Sequence, residues 1–128
     1  MLSPVVLALF QAPHHMGPLV DADAIGCEGS PGEGPHMVVY LRMDGPRIGE
    51  AWYETYGCPN AIACGSWVTR WVAGRTPDEA RILEAEDLRR VLGGLPLGKE
   101  HCADLVVEAL RAALRKVDGL HVSGRNER

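Results

Sequence analysis

The 128-residue sequence has no run of Lys or Arg, and its 13 basic side chains are outnumbered by 17 acidic ones, for a net charge of −4. A surface of that balance does not track phosphates, which argues against nucleic acid as a partner. No stretch approaches the roughly 20 apolar residues of a membrane helix. The opening MLSPVVLALFQAP has no basic start and no small-x-small cleavage site after it, so it reads as an N-terminal amphipathic helix and not as a secretory signal. The expected compartment is the cytoplasm, where thiols stay reduced. Also missing are a G-x-S-x-G elbow, a P-loop, a dinucleotide fingerprint and the paired C-x-x-C knuckles of structural zinc sites. There is no internal repeat and no low-complexity linker.

What is present is an ordinary globular composition, 46% hydrophobic and 23% charged, with length for one modest core. Four cysteines in a reducing compartment point to metal or sulfur chemistry more than to a disulfide frame. Residues 3–11 read as a short helix ended by APHHMGP. DAIGCEGS (Asp23 to Ser30) is a weak strand. HMVVYLRM (His36 to Met43) and the irregularly alternating RIGEAWYETY (Arg47 to Tyr56) are two stronger strands joined by the turn DGPR.

After Cys58 the period becomes 3.6, predicting a helix from about Pro59 to Ala73 with Gly74 as its stop. Thr76, Pro77 and Glu79 spell an N-cap, a first helical residue and a capping box. AEDLRRVLGG is a further short helix. The last helix, Lys99 to about Val117, lines Cys102, Val106, Ala109, Leu110, Ala113 and Val117 along one face. The expected architecture is α+β: a three-stranded antiparallel sheet with helices packed on one face. Residues 1–118 form the expected single domain and 119–128 a loose C-terminal tail.

Cys58 ends a strand and opens a helix; Cys102 lies in the first turn of another. At helix N-termini the unpaired N–H groups and the dipole favour an anion, which lowers a thiol pKa and yields the thiolate that ligates metal or attacks sulfur. Small buried hydrophobes are the alternative for both, and position alone does not decide. Cys64 is rotated about 120° from Cys58 around the helix and reads as core. Cys27 reads as a buried strand residue. His101 adjoins Cys102 and offers an imidazole. Glu33, in PGEGP, is a carboxylate on a glycine-flanked loop open to close backbone approach.

The run HHMGPL…ADAIG…GSPGEGPHM…TYGCPNAIACGSWVTRWVAGRTPDEA…DLRRVLGGLPLGKEHCADLVVEALRAAL resembles the U-type iron–sulfur cluster assembly scaffolds, IscU and the N-terminal domain of NifU. The resemblance spans roughly His14 to Leu114. It rests on TYGC followed by AIA-x-x-S, on the turn around GRTPDEA, and on LP-x-x-K-x-HC.

The resemblance implies a scaffold and not an enzyme, building a transient [2Fe–2S] cluster from iron and from persulfide sulfur delivered by a cysteine desulfurase. Many members also bind zinc at the same site. It assigns Cys58 and Cys102 as the second and third cysteine ligands, His101 as the histidine beside the last, and Lys99 as the lysine before it. The first ligand motif, P-A-C-G-D, falls on Pro31 to Pro35 and puts Glu33 in place of the first cysteine. A site of Cys58, Cys102, His101 and Glu33 has two thiolates, one nitrogen and one oxygen, a set that suits zinc or mononuclear iron. LPLGK (Leu95 to Lys99) is a partial match to the peptide read by a DnaK-type chaperone pair. Recipient apo-proteins complete the implied partners. Two other readings of the same thiols are a zinc-holding module and a sulfurtransferase carrying a persulfide on Cys58 or Cys102.

Overall fold

The computed structural model describes residues 2–29, 35–56 and 58–126, of which 120–126 are described as backbone. In chain order the elements are α1 (Pro4–Gln11), β1 (Ala24–Glu28), β2 (His36–Asp44), β3 (Arg47–Tyr56), α2 (Pro59–Val72), α3 (Pro77–Arg81), α4 (Ala85–Val91) and α5 (His101–Asn126). The three strands form one antiparallel sheet in the order β1-β2-β3, and the expected α+β architecture is borne out.

Each strand becomes a strand because alternate residues have a core to enter. Met37, Val39 and Leu41 of β2 and Ile48, Ala51 and Tyr53 of β3 are buried against the helices. The irregular alternation of β3 has a cause. Met43 pairs with Ile48 and Arg42 with Glu50, so Gly49 is an extra residue, a β-bulge that restores the inward phase from Ala51 onward. The hairpin turns on Gly45, whose φ of 63° suits glycine, followed by Pro46 with its fixed φ.

Two helices are set on the inner face by glycine-sized gaps. A Cβ on Gly26 of β1 would fall 2.2 Å from the Ala109 carbonyl oxygen and 2.3 Å from the Ala113 nitrogen, so the backbone of α5 lies directly on the strand. α2 packs on β3 through Gly65, over which the ring of Tyr53 is laid. The Tyr53 hydroxyl donates to the Ile62 carbonyl at 2.9 Å and shares a hydrogen bond with Ser66 Oγ, also at 2.9 Å. Capping follows the sequence: Ser3 accepts from Val6 N–H, and Thr76 with Glu79 forms the reciprocal capping box.

Three features depart from the sequence reading. Residues around Met16 pair with the free edge of β3: Tyr53 N–H donates to His15 O at 3.0 Å and Gly17 N–H to Tyr53 O at 2.7 Å. This pairing covers an edge that would otherwise be open to another chain. Helix α5 continues past Val117 to Asn126, through the stretch read as a tail. Gly119 and Gly124 are the weak points there, and each glycine costs a helix only about 1 kcal/mol. Cys27 is exposed, not a buried strand residue. In β1 the inward positions are Ala24 and Gly26, which leaves Ile25 and Cys27 on the outer face. That face also carries the Tyr40–Glu54 hydrogen bond and the Arg42–Glu50 ion pair.

Candidate functional site

Cys58 is delivered by the end of β3. It is the N-cap of α2, with extended backbone angles (φ −88°, ψ 172°) and Pro59 at the first helical position. Pro59 needs no hydrogen-bonded N–H there and disfavours helical angles at the residue before it, so the chain turns from strand to helix at the cysteine. Cys102 is delivered by the first turn of α5, where its N–H bonds to Lys99 O at 3.1 Å. The two helices stand over opposite edges of the same sheet face, and their starts bring the two thiols near enough for each to shift the acidity of the other. His101 Nε2 is 4.0 Å from Cys102 Sγ. All four cysteines are free.

The thiols are not equivalent. For Cys58 partial burial pushes the pKa up. It is outweighed by the nearby backbone N–H groups of Ala61 and Asn60, the Asn60 side chain and the Cys102 thiol, and the net shift is downward. Neither backbone group completes a capping bond to the sulfur; the Asn60 carboxamide does reach it, with Nδ2 3.7 Å from Sγ. Cys102 goes the other way. It is 2% exposed, and burial, followed by the negative charge of a Cys58 thiolate beside it, pushes its thiol up to about 12, with Lys99 opposing weakly. The expectation of two depressed thiols is therefore corrected for Cys102: desolvation exceeds the helix-start effect once the side chain is enclosed. Of the two neighbours Cys58 is the more acidic thiol and Cys102 the one that holds its proton.

Cys64 is fully buried in the core, as expected from its rotation around α2, and burial drives its pKa up. Lys99 is exposed at the mouth of the α5 turn. Glu33 lies outside the described residues. Cys27 faces away from α5 and does not join Cys102. Among the described residues no group of three or more His, Cys, Asp or Glu side chains is gathered closely enough to hold a metal ion, and His101 reaches Cys102 alone. Asn60 is the site residue that sequence reasoning missed. It is 3% exposed, and its Oδ1 has no partner among the described residues. An asparagine two residues after an N-cap gives no signal of its own in a sequence. No helix among the described residues is long and apolar enough to cross a membrane.

The model of the NifU-like N terminal domain matches residues 1–122. The iron–sulfur cluster assembly scaffold protein IscU 1 of Archaeoglobus fulgidus is 38% identical over 114 residues, covering 89% of this chain and 74% of the relative. The iron–sulfur cluster assembly scaffold protein IscU of Escherichia coli is 34% identical over 116 residues, covering 88% and 90%. Among solved structures, the N-terminal part of a NifU-like protein from Brucella abortus superposes with a TM-score of 0.72 at 20% identity, over 91% of this chain and 94% of that one; at that identity the likeness is one of fold. On the match to nearly the whole chain and the identity to IscU relatives, this protein belongs to the U-type scaffold family and carries its NifU-like N-terminal domain.

Proposed function

We propose that the chain is an iron–sulfur cluster assembly scaffold that receives iron and sulfide as cargo on Cys58 and Cys102. The observation that carries the site is the nearness of these two thiols, delivered by separate helix starts, with Cys58 made more acidic than an ordinary thiol. The name borne by the IscU relatives supports the pathway. His101 is the third donor, and Glu33 stands in the sequence where the resemblance places the missing cysteine. The chemistry asked of the residues is modest. Cys58, its pKa lowered, offers the more easily formed thiolate to an incoming cation, and Cys102 gives up its proton to solvent as the metal charge offsets the penalty of ionising in a buried place. The role is holding and handing on, so no catalytic residue is assigned.

The finer reading is a transient [2Fe–2S] cluster, with zinc as a competing occupant of the same ligands. Sulfur comes from a cysteine desulfurase and the cluster passes to recipient apo-proteins in the cytoplasm. The segment Leu95–Lys99, where Leu97 is 95% exposed, is the expected contact for a DnaK-type chaperone pair.

Anaerobic reconstitution with iron(II), a desulfurase, free cysteine and a thiol reductant that takes persulfide sulfur to sulfide tests the proposal through iron, zinc and acid-labile sulfide analysis with a visible spectrum. Equal iron and sulfide, lost in Cys58→Ala and Cys102→Ala, is the expected result. Zinc with no sulfide and no charge-transfer bands overturns the cluster reading.

A further inference from the structure

The carboxamide of Asn60 is a buried polar group whose burial the fold does not explain. It is 3% exposed, and its Oδ1 is enclosed without a hydrogen-bond partner among the described residues. An orphaned buried acceptor costs about 1–3 kcal/mol. A leucine of similar shape would pack in the same place without that cost, so packing gives no reason for an asparagine. The other end of the side chain supplies one. Nδ2 lies 3.7 Å from Cys58 Sγ, within hydrogen-bond range for a sulfur acceptor, and it is the one side-chain amide aimed at that sulfur among the described residues. The N-cap itself leaves the sulfur without a completed backbone hydrogen bond.

We propose that Asn60 is a positioning residue: its carboxamide N–H fixes the direction of the Cys58 sulfur toward Cys102 and remains on that sulfur when cargo is bound. The second half of this statement rests on the site proposed above; the first half does not. A thiolate bound to a cation keeps lone pairs that accept hydrogen bonds, and the outer partners of a ligand set its orientation and its electron donation. With one donor aimed at Cys58 and none of this kind at Cys102, the two sulfurs become unequal ligands.

The experiment has two arms on the full chain. In the metal-free protein, the side-chain amide protons of Asn60 are followed by 1H–15N spectra in wild type and Cys58→Ala. The expected result is one proton shifted downfield in wild type and returned toward the free-amide position in Cys58→Ala. Asn60 protons that do not move overturn the proposal whether or not the protein binds metal.

In the second arm Co(II) is titrated into wild type, Asn60→Asp and Asn60→Leu. Loss of the donor weakens cobalt binding about tenfold, equivalent to ~1.4 kcal/mol. It also moves the sulfur-to-cobalt charge-transfer band to longer wavelength, because the sulfur lone pairs lose their stabilisation. Asn60→Leu removes the orphaned oxygen and keeps its melting temperature, so a shifted band in a fully folded variant separates positioning from packing. A band and affinity unchanged in both variants overturn the loaded-state half. Failure of wild type to bind cobalt overturns the site reading itself, and with it that half, leaving the metal-free spectra to decide the first.

Discussion

Tyr53 and Gly65 meet ring against backbone: a Cβ on Gly65 would fall 2.4 Å from Tyr53 Cδ2. Because Tyr53 is fully buried and tied to Ile62 and Ser66 of α2, this contact fixes how close α2 comes to β3. It therefore fixes where Cys58 stands at the junction between them. Gly65→Ala forces the ring or the helix to move and is expected to cost about 1–3 kcal/mol, read as a lower urea midpoint with an unchanged m-value. An unchanged midpoint would mean that α2 has room to shift.

Thiol accessibility and thiolate character rank the three cysteines carried by α2 and α5, apart from the exposed Cys27. Under native conditions iodoacetamide should modify Cys58 well before Cys102, and Cys64 should react only on unfolding, as followed by peptide mapping over time. Cys58 is half-buried with a depressed pKa, while Cys102 and Cys64 are enclosed with raised ones. Labelling of Cys102 as fast as Cys58 would contradict the enclosure of the α5 start.

Stability should fall at alkaline pH. Cys102 titrates at about 12 in the folded chain against an ordinary 9.0, and Cys64 is raised as well. Above pH 9 the unfolded chain releases protons that the native one keeps. The sign is then fixed: stability contributed by these raised groups is complete below pH 9 and is lost as pH climbs toward 12. Tyr53, raised by burial, adds to the loss above pH 10. Urea midpoints measured from pH 8 upward should decline, and less steeply in Cys102→Ala. A profile that Cys102→Ala leaves unaltered would assign the decline to other groups.

Metal binding should separate the two cysteines of α2. Cys64→Ala removes a buried side chain and lowers stability, but leaves zinc or cobalt binding intact. Cys58→Ala does the reverse, sparing the fold and removing at least about tenfold in affinity, a loss of ~1.4 kcal/mol or more. Competition titration with a chromophoric chelator reads both. Loss of binding in Cys64→Ala alone would reverse the assignment.

The parts of this fold legible in the sequence are those set by neighbours along the chain. Pro59 marks Cys58 as an N-cap, Thr76 and Glu79 mark a capping box, and the change of period after Cys58 marks the passage from strand to helix. The irregular spacing of Ile48, Ala51 and Tyr53 is visible too, although the bulge at Gly49 that causes it is not, since a bulge is defined by the partner strand. What the sequence withheld depends on contacts between distant residues. Five residues of β1 do not say which face is covered, so the sequence alone does not tell that Cys27 faces outward. The backbone pairing of His15 and Gly17 with Tyr53 leaves no periodic trace. The raised pKa of Cys102 follows from enclosure by other elements, and helix position alone pointed the other way.

The seat of α5 on Gly26 acts as a fulcrum. The close contact is at Ala109 and Ala113, and Cys102 lies two to three turns before it, a lever arm of about 10–16 Å at ~1.5 Å per residue. The backbone cannot sink further into β1, but a tilt of about 5° about that point would swing the Cys102 end by roughly 1 Å. Cys58, held where β3 passes into α2, has no such arm. The spacing between the two sulfurs is therefore tied to the angle at which α5 crosses β1.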